Sequence, residues 1–124
     1  AHGYDATLVN IGEFRAGERA AYIGVDTVNE NAGIVLPVNM AAIATSNAQG
    51  YIFADGTAHI MHPHRMDIEK GWTAATVVHK SAAMADALST ALILSDGLSL
   101  AQKLKLGEAA KIILQSQDGA IVEI

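Results

Sequence analysis

The chain contains no cysteine, so it can form no disulfide and offers no thiolate as a nucleophile or soft metal ligand. Basic residues are sparse and scattered: eight Lys and Arg stand against thirteen Asp and Glu, for a net charge of −5. A nucleic-acid-binding face needs a concentrated basic stripe, so no nucleic-acid partner is expected. No apolar run approaches the roughly 18 residues of a membrane-spanning helix, and no charged leader precedes an apolar segment. Repeats and low-complexity segments are missing as well.

What is present is a 51% apolar chain of 124 residues. A chain of this size buries about two-thirds of its unfolded surface, which argues for one packed domain over residues 1–124 and against disorder. It opens on Ala1 rather than Met, and the expectation is a piece of a longer protein or one subunit of an assembly.

Strands are expected at residues 7–11, 21–25, 34–38 and 72–79, with a polar, Gly-containing turn over residues 13–19 and a loop over residues 29–33. Asp55-Gly56 predicts a hairpin between residues 51–53 and 58–61, and Gln117-Asp118-Gly119 predicts another between residues 112–114 and 121–122. Ser81 reads as the N-cap of a helix over residues 82–94, Gly97 as its stop, and residues 98–106 as a second helix. Many strands with helices gathered late predict an α+β domain with a mixed or antiparallel sheet.

Three constellations carry possible chemistry. The helix over residues 82–94 is apolar nearly all round, and its polar residues Asp86, Ser89 and Thr90 share one narrow stripe. Short oxygen side chains of this kind suit a hard cation or a phosphate-bearing ligand held close to the backbone. The alternative is a solvent-facing seam whose hydroxyls bond back to helix carbonyls. The second constellation, His59-Ile60-Met61-His62-Pro63-His64-Arg65-Met66, has donors for copper or zinc but no recognised ligand spacing. Its alternative is a histidine-rich loop. In the third, Ala44-Thr45-Ser46-Asn47, small residues lead to an Asn that tolerates a left-handed backbone, so the main chain can approach a ligand closely. The alternative there is a plain strand end and turn. No Gly-x-Ser-x-Gly elbow surrounds Ser46, so a hydrolase is not indicated.

Taken in order, four blocks resemble the C-terminal half of the ApbE family of FAD:protein FMN transferases. They are Leu8-Val9-Asn10-Ile11-Gly12, Ala42-Ile43-Ala44-Thr45-Ser46, Asp55-Gly56 with His59-Ile60-Met61-His62-Pro63, and Met84 to Leu94. The resemblance implies a T-fold-like α+β half domain. It also implies a Mg²⁺-dependent enzyme that moves the FMN part of FAD onto Thr or Ser of an acceptor flavoprotein, releasing AMP. It places Asp86 and Thr90 as metal ligands, His59 as the catalytic residue at the FAD diphosphate, and Thr45, Ser46 and Asn47 along the nucleotide site. Three departures stand out: Glu13-Phe14-Arg15 follows Gly12 where a second Gly and an acidic or amide residue are usual, Asn47 occupies a usual Gly position, and His62-Pro63-His64-Arg65-Met66 replaces an Asp-Pro-x-Thr-Gly pattern. The family's N-terminal half, which completes the FAD pocket, is expected from a second chain or segment. A periplasmic or membrane-associated extracytoplasmic location in bacteria follows from the same likeness. The competing reading is a non-catalytic module that binds flavin, or copper or zinc through the His/Met loop.

Overall fold

A computed structural model describes residues 3–27, 33–64, 71–107, 109 and 111–124. The elements are β1 (Leu8–Asn10), β2 (Phe14–Ala16), β3 (Ala21–Val25), β4 (Ile34–Val38), β5 (Ala42–Asn47), β6 (Trp72–His79), α1 (Ala82–Leu94), α2 (Gly97–Gly107), β7 (Lys111–Ser116) and β8 (Ile121–Glu123). A six-stranded sheet runs in the order β1-β2-β5-β6-β7-β8, with every neighbouring pair antiparallel. β3 and β4 form a separate antiparallel ribbon. The expected α+β class is therefore the observed one, with an antiparallel sheet.

Alternation along the central strands sorts the core into two sides. Ala75 and Val77 of β6 and Ile112 and Leu114 of β7 pack with Leu92 and Ile93 of α1 and Ala101 of α2. Their neighbours Val78 and Ile113, with Ile43 of β5, pack instead with Ile23, Val25, Leu36 and Val38 of the ribbon. Helices thus cover one face of the sheet and the ribbon covers the other. Gln115 is buried at this ribbon face, and its amide donates to the Asp26 carbonyl just beyond β3 at 3.0 Å.

Four local expectations need correction. Residues 14–16 form a strand where a turn was expected, because β2 pairs with both β1 and β5 and buries Ala16 completely. The Asp55-Gly56 turn forms, with Gly56 at φ 87°, yet its flanks make one bridge, Ile52 to Ala58, rather than a two-stranded hairpin. Tyr51, Ile52, Phe53 and Met61 are all exposed, so no buried face holds longer strands together. Asn47 has no positive φ; Met40, at 49°, is the one non-glycine residue with positive φ among those described. Residues 29–32 of the expected loop lie outside the described residues, as do Arg65 and Met66.

The fourth correction is Gly97, which begins α2 instead of ending α1; α1 closes on Ser95 in extended backbone. Its small size has a steric cause: a Cβ there would stand 2.7 Å from the Leu92 carbonyl oxygen and 2.5 Å from the Trp72 ring. A one-residue register shift between Trp72 and Ala74 turns Trp72 onto the helix side, where it packs against this junction. Gly97→Ala is expected to lower stability by about 1–3 kcal/mol, as overpacking does. Urea unfolding followed by the fluorescence of Trp72, the single tryptophan, reads this directly; an unchanged midpoint would refute the steric account.

In the 54–57 turn, the Asp55 carboxylate accepts from the Thr57 hydroxyl at 2.6 Å and from its amide at 3.0 Å. Those bonds, the hydroxyl's foremost, hold the Asp55 pKa below the ordinary Asp value. The turn's support is therefore complete above the ordinary Asp range and lost as pH falls through the lowered value. A carboxyl NMR titration should find the Asp55 midpoint below that of Asp in an unstructured peptide, and Thr57→Ala should return it towards that ordinary value.

Candidate functional site

Helix α1 is set by its cap. Ser81 Oγ accepts from the Met84 amide at 3.4 Å, and the apolar run that follows docks on β5 and β6. Ala42 and Ala44 of β5 meet Ala85 of α1, and such small side chains let strand and helix approach closely. The next residue on that face of β5 is Ser46, which brings a hydroxyl to the same seam.

Three hydroxyls meet there. Ser46 Oγ lies 2.7 Å from Ser89 Oγ and 2.9 Å from Thr90 Oγ1. Ser89 is fully buried and Ser46 is 9% exposed. Ser89 Oγ donates to the Asp86 carbonyl at 2.8 Å, while Thr90 Oγ1 has a longer contact of 3.4 Å to the same oxygen. A hydroxyl has one proton, which fixes the direction of the chain. The Ser89 proton goes to the carbonyl, so Ser46 donates to Ser89, and Thr90 donates to Ser46. The Thr90 lone pairs are then left free on the partly exposed side of the helix. Ser89 thus bonds back to a helix carbonyl, as the plainer expectation held, while the Thr90 proton goes to Ser46 at the shorter distance.

The Asp86 side chain is exposed and stands one turn before Thr90 on the same stripe. A carboxylate and a hydroxyl oxygen whose proton is turned inward are donors that fit a hard cation such as Mg²⁺, provided other oxygens complete the shell. Among the described residues, no group of three or more His, Asp or Glu is placed to hold a metal by itself.

His59 sits elsewhere along the same path of the chain. The turn after β5 is closed by the Gly50 amide donating to the Asn47 carbonyl at 3.0 Å, and by the Gln49 amide donating to Asn47 Oδ1 at 2.9 Å. A methyl group at Gly50 would lie 3.8 Å from His59 Cε1, so the ring rests beside this turn. His59 Nδ1 is 3.1 Å from the Tyr51 carbonyl, which can only accept, so Nδ1 carries the proton. Nε2 of this exposed ring is free to meet a ligand.

The structure therefore brings Ser46 and Thr90 together, sets Asp86 one turn away, and leaves His59 at the turn beyond Ser46. It separates Thr45 from Ser46. Thr45 points to the other face of β5, where its hydroxyl pairs with Thr76 at 2.8 Å. Asn47 is exposed and occupied in the turn. Ser89 was legible only as part of the stripe; its burial against Ser46 depends on a contact 43 residues apart in sequence. In the His/Met loop, the His62 and His64 rings lie 6.0 Å apart, and His62 Nδ1 accepts from the His64 amide at 3.1 Å. A cleft of about 270 Å³ behind that loop is lined by Ala48, Ile52, Ile60 and Met61 among others, but by none of the six predicted site residues.

Solved structures of other proteins share this fold. The ApbE protein of Thermotoga maritima superposes with a TM-score of 0.75 at 25% identity, over 94% of this chain and 41% of its own. A flavinyl transferase ApbE from Pseudomonas stutzeri gives 0.67 at 30% identity, over 94% and 40%. Flavin transferase ApbE from Vibrio cholerae, at 22% identity and a TM-score of 0.62, shares the fold. This chain thus spans about two-fifths of the length of these proteins. No curated protein sequence matches it. The sequence profile of the ApbE family matches residues 1–112, and the chain belongs to that family.

Proposed function

We propose that this chain supplies the cation- and diphosphate-facing part of a flavin transferase that moves FMN from FAD to a Thr or Ser of an acceptor flavoprotein. The rest of the ApbE fold comes from a second chain or segment. In the transfer, the acceptor hydroxyl oxygen bonds to the FMN phosphorus and loses its proton. The bond from that phosphorus to the bridging oxygen breaks, and AMP leaves. Mg²⁺, when bound, neutralises charge on the diphosphate oxygens.

The observation that carries this reading is the Thr90 hydroxyl, 2.9 Å from Ser46 Oγ and one helical turn beyond the exposed Asp86. Asp86 and Thr90 hold the cation, and His59 Nε2 meets the diphosphate. Family membership supports the choice of FAD as substrate. An extracytoplasmic setting, periplasmic or at a bacterial membrane surface, belongs to the same proposal; no helix among the described residues is long and apolar enough to cross a membrane.

The test is a chimera in which this chain replaces the matching portion of the Thermotoga maritima protein. With FAD, Mg²⁺ and a flavoprotein acceptor, intact-mass spectrometry should show the acceptor gaining FMN less water, and a chelator should stop the gain. A folded chimera that binds FAD but transfers nothing would overturn the enzymatic reading.

A further inference from the structure

We propose that Ser46 and Ser89 are positioning residues that set the Thr90 hydroxyl as a cation ligand, with neither of them touching the cation. This inference rests on the cation site proposed above. It assigns a role to Ser89, a buried residue one position from Thr90, and moves Ser46 from the nucleotide wall into the support of that site.

Proton supply decides which way the Thr90 hydroxyl turns. A neutral hydroxyl binds a cation through a lone pair, and its own proton must point away. In water that proton is free to rotate. At Thr90 it has two places to go: Ser46 Oγ at 2.9 Å or the Asp86 carbonyl at 3.4 Å. Ser46 is an acceptor for it only while its own proton is committed elsewhere. Ser89 Oγ, at 2.7 Å, takes that proton because the Ser89 proton is committed in turn to the Asp86 carbonyl at 2.8 Å. Each of the three short contacts then has one proton, and the chain ends on an oxygen that cannot donate. Ser89 is fully buried and Ser46 nearly so, which shields the two inner links from competing water.

The same carbonyl belongs to the residue whose carboxylate is the other proposed ligand. Asp86 thus anchors the inner end of the hydroxyl chain through its backbone and presents its side chain outward. Removing Ser89 Oγ releases the Ser46 proton, which can then turn on Thr90 and occupy a lone pair. Ser89→Ala therefore weakens the cation site although Ser46, Thr90 and Asp86 all remain.

The experiment is a Mn²⁺ titration of the ¹⁵N-labelled 124-residue chain, with paramagnetic broadening of the amide signals as readout. In the unaltered chain, broadening should centre on Asp86 and Thr90. Ser89→Ala and Ser46→Ala should each raise the Mn²⁺ midpoint about tenfold, the lower end for loss of a partner behind a metal ligand. Thermal unfolding of both variants separates the structural role, which lowers Tm without moving that midpoint. Broadening at Asp86 and Thr90 with an unchanged midpoint in both variants overturns the positioning role and leaves the cation site standing. Absence of broadening there in the unaltered chain overturns the cation site itself, and the positioning role with it.

Discussion

Asp86→Ala is expected to lower flavin transfer by the completed protein about 100-fold or more, the scale on which loss of a group stabilising transferred charge acts. The substitution isolates the carboxylate because the structure uses Asp86 in two separable ways. Its backbone carbonyl accepts from Ser89 at 2.8 Å and survives the change, so the hydroxyl chain to Ser46 and Thr90 stays intact. The side chain is exposed and packs against no core, so the fold should be undisturbed. Alanine is also the best helix former, which favours α1 rather than straining it. Initial rates in the chimera, at saturating FAD and over a series of Mg²⁺ concentrations, give the result. A loss below threefold at every Mg²⁺ concentration would remove Asp86 from the site.

Leu92→Ala should have the largest effect on stability. Leu92 is fully buried in α1, where it meets the layer of Ala75, Val77, Ile112 and Leu114. Truncating a buried Leu loses transfer free energy and leaves a cavity, at a cost of about 2–5 kcal/mol. Stability of an ordinary domain is about 5–15 kcal/mol, so this one side chain decides a large share of it. Urea unfolding should show a lower midpoint at an unchanged slope, the sign of altered stability rather than altered compactness. A loss under about 1 kcal/mol would mean that the helix layer collapses around the gap, contrary to the close packing of such cores. Because α1 also carries Asp86, Ser89 and Thr90, the same variant should loosen the proposed cation site.

The helix was legible because several local signals agree there. Ser81, the apolar run and the three polar residues define residues 82–94, and the observed helix has those bounds. The strands at residues 21–25, 34–38 and 72–79 were equally plain, being rich in β-branched and aromatic residues. β2 was not, since three residues carry no usable period and Phe14–Ala16 is held by partners in β1 and β5. Gly97 misled because a glycine near a helix end usually signals positive φ, whereas here it makes room for Trp72 and the Leu92 carbonyl. The Asp-Gly turn forms as that dipeptide predicts, but flanks without a buried face do not extend its pairing. At the site, the stripe on α1 shows in the periodicity alone. The hydroxyl that meets it comes from a strand 43 residues earlier, and no local pattern encodes that contact.

Strand β1 brings a different consequence. Leu8 and Val9 project to opposite faces and are 43% and 46% exposed, and among the described residues β1 pairs with β2 alone. Among the described residues its outer edge meets no further strand, and an edge flanked by apolar side chains is a template for one. In concentrated solutions of the isolated chain, the strand available to it is another molecule's β1. Val9→Lys is then expected to reduce self-association of the isolated chain, because a charge on a sheet edge opposes strand addition.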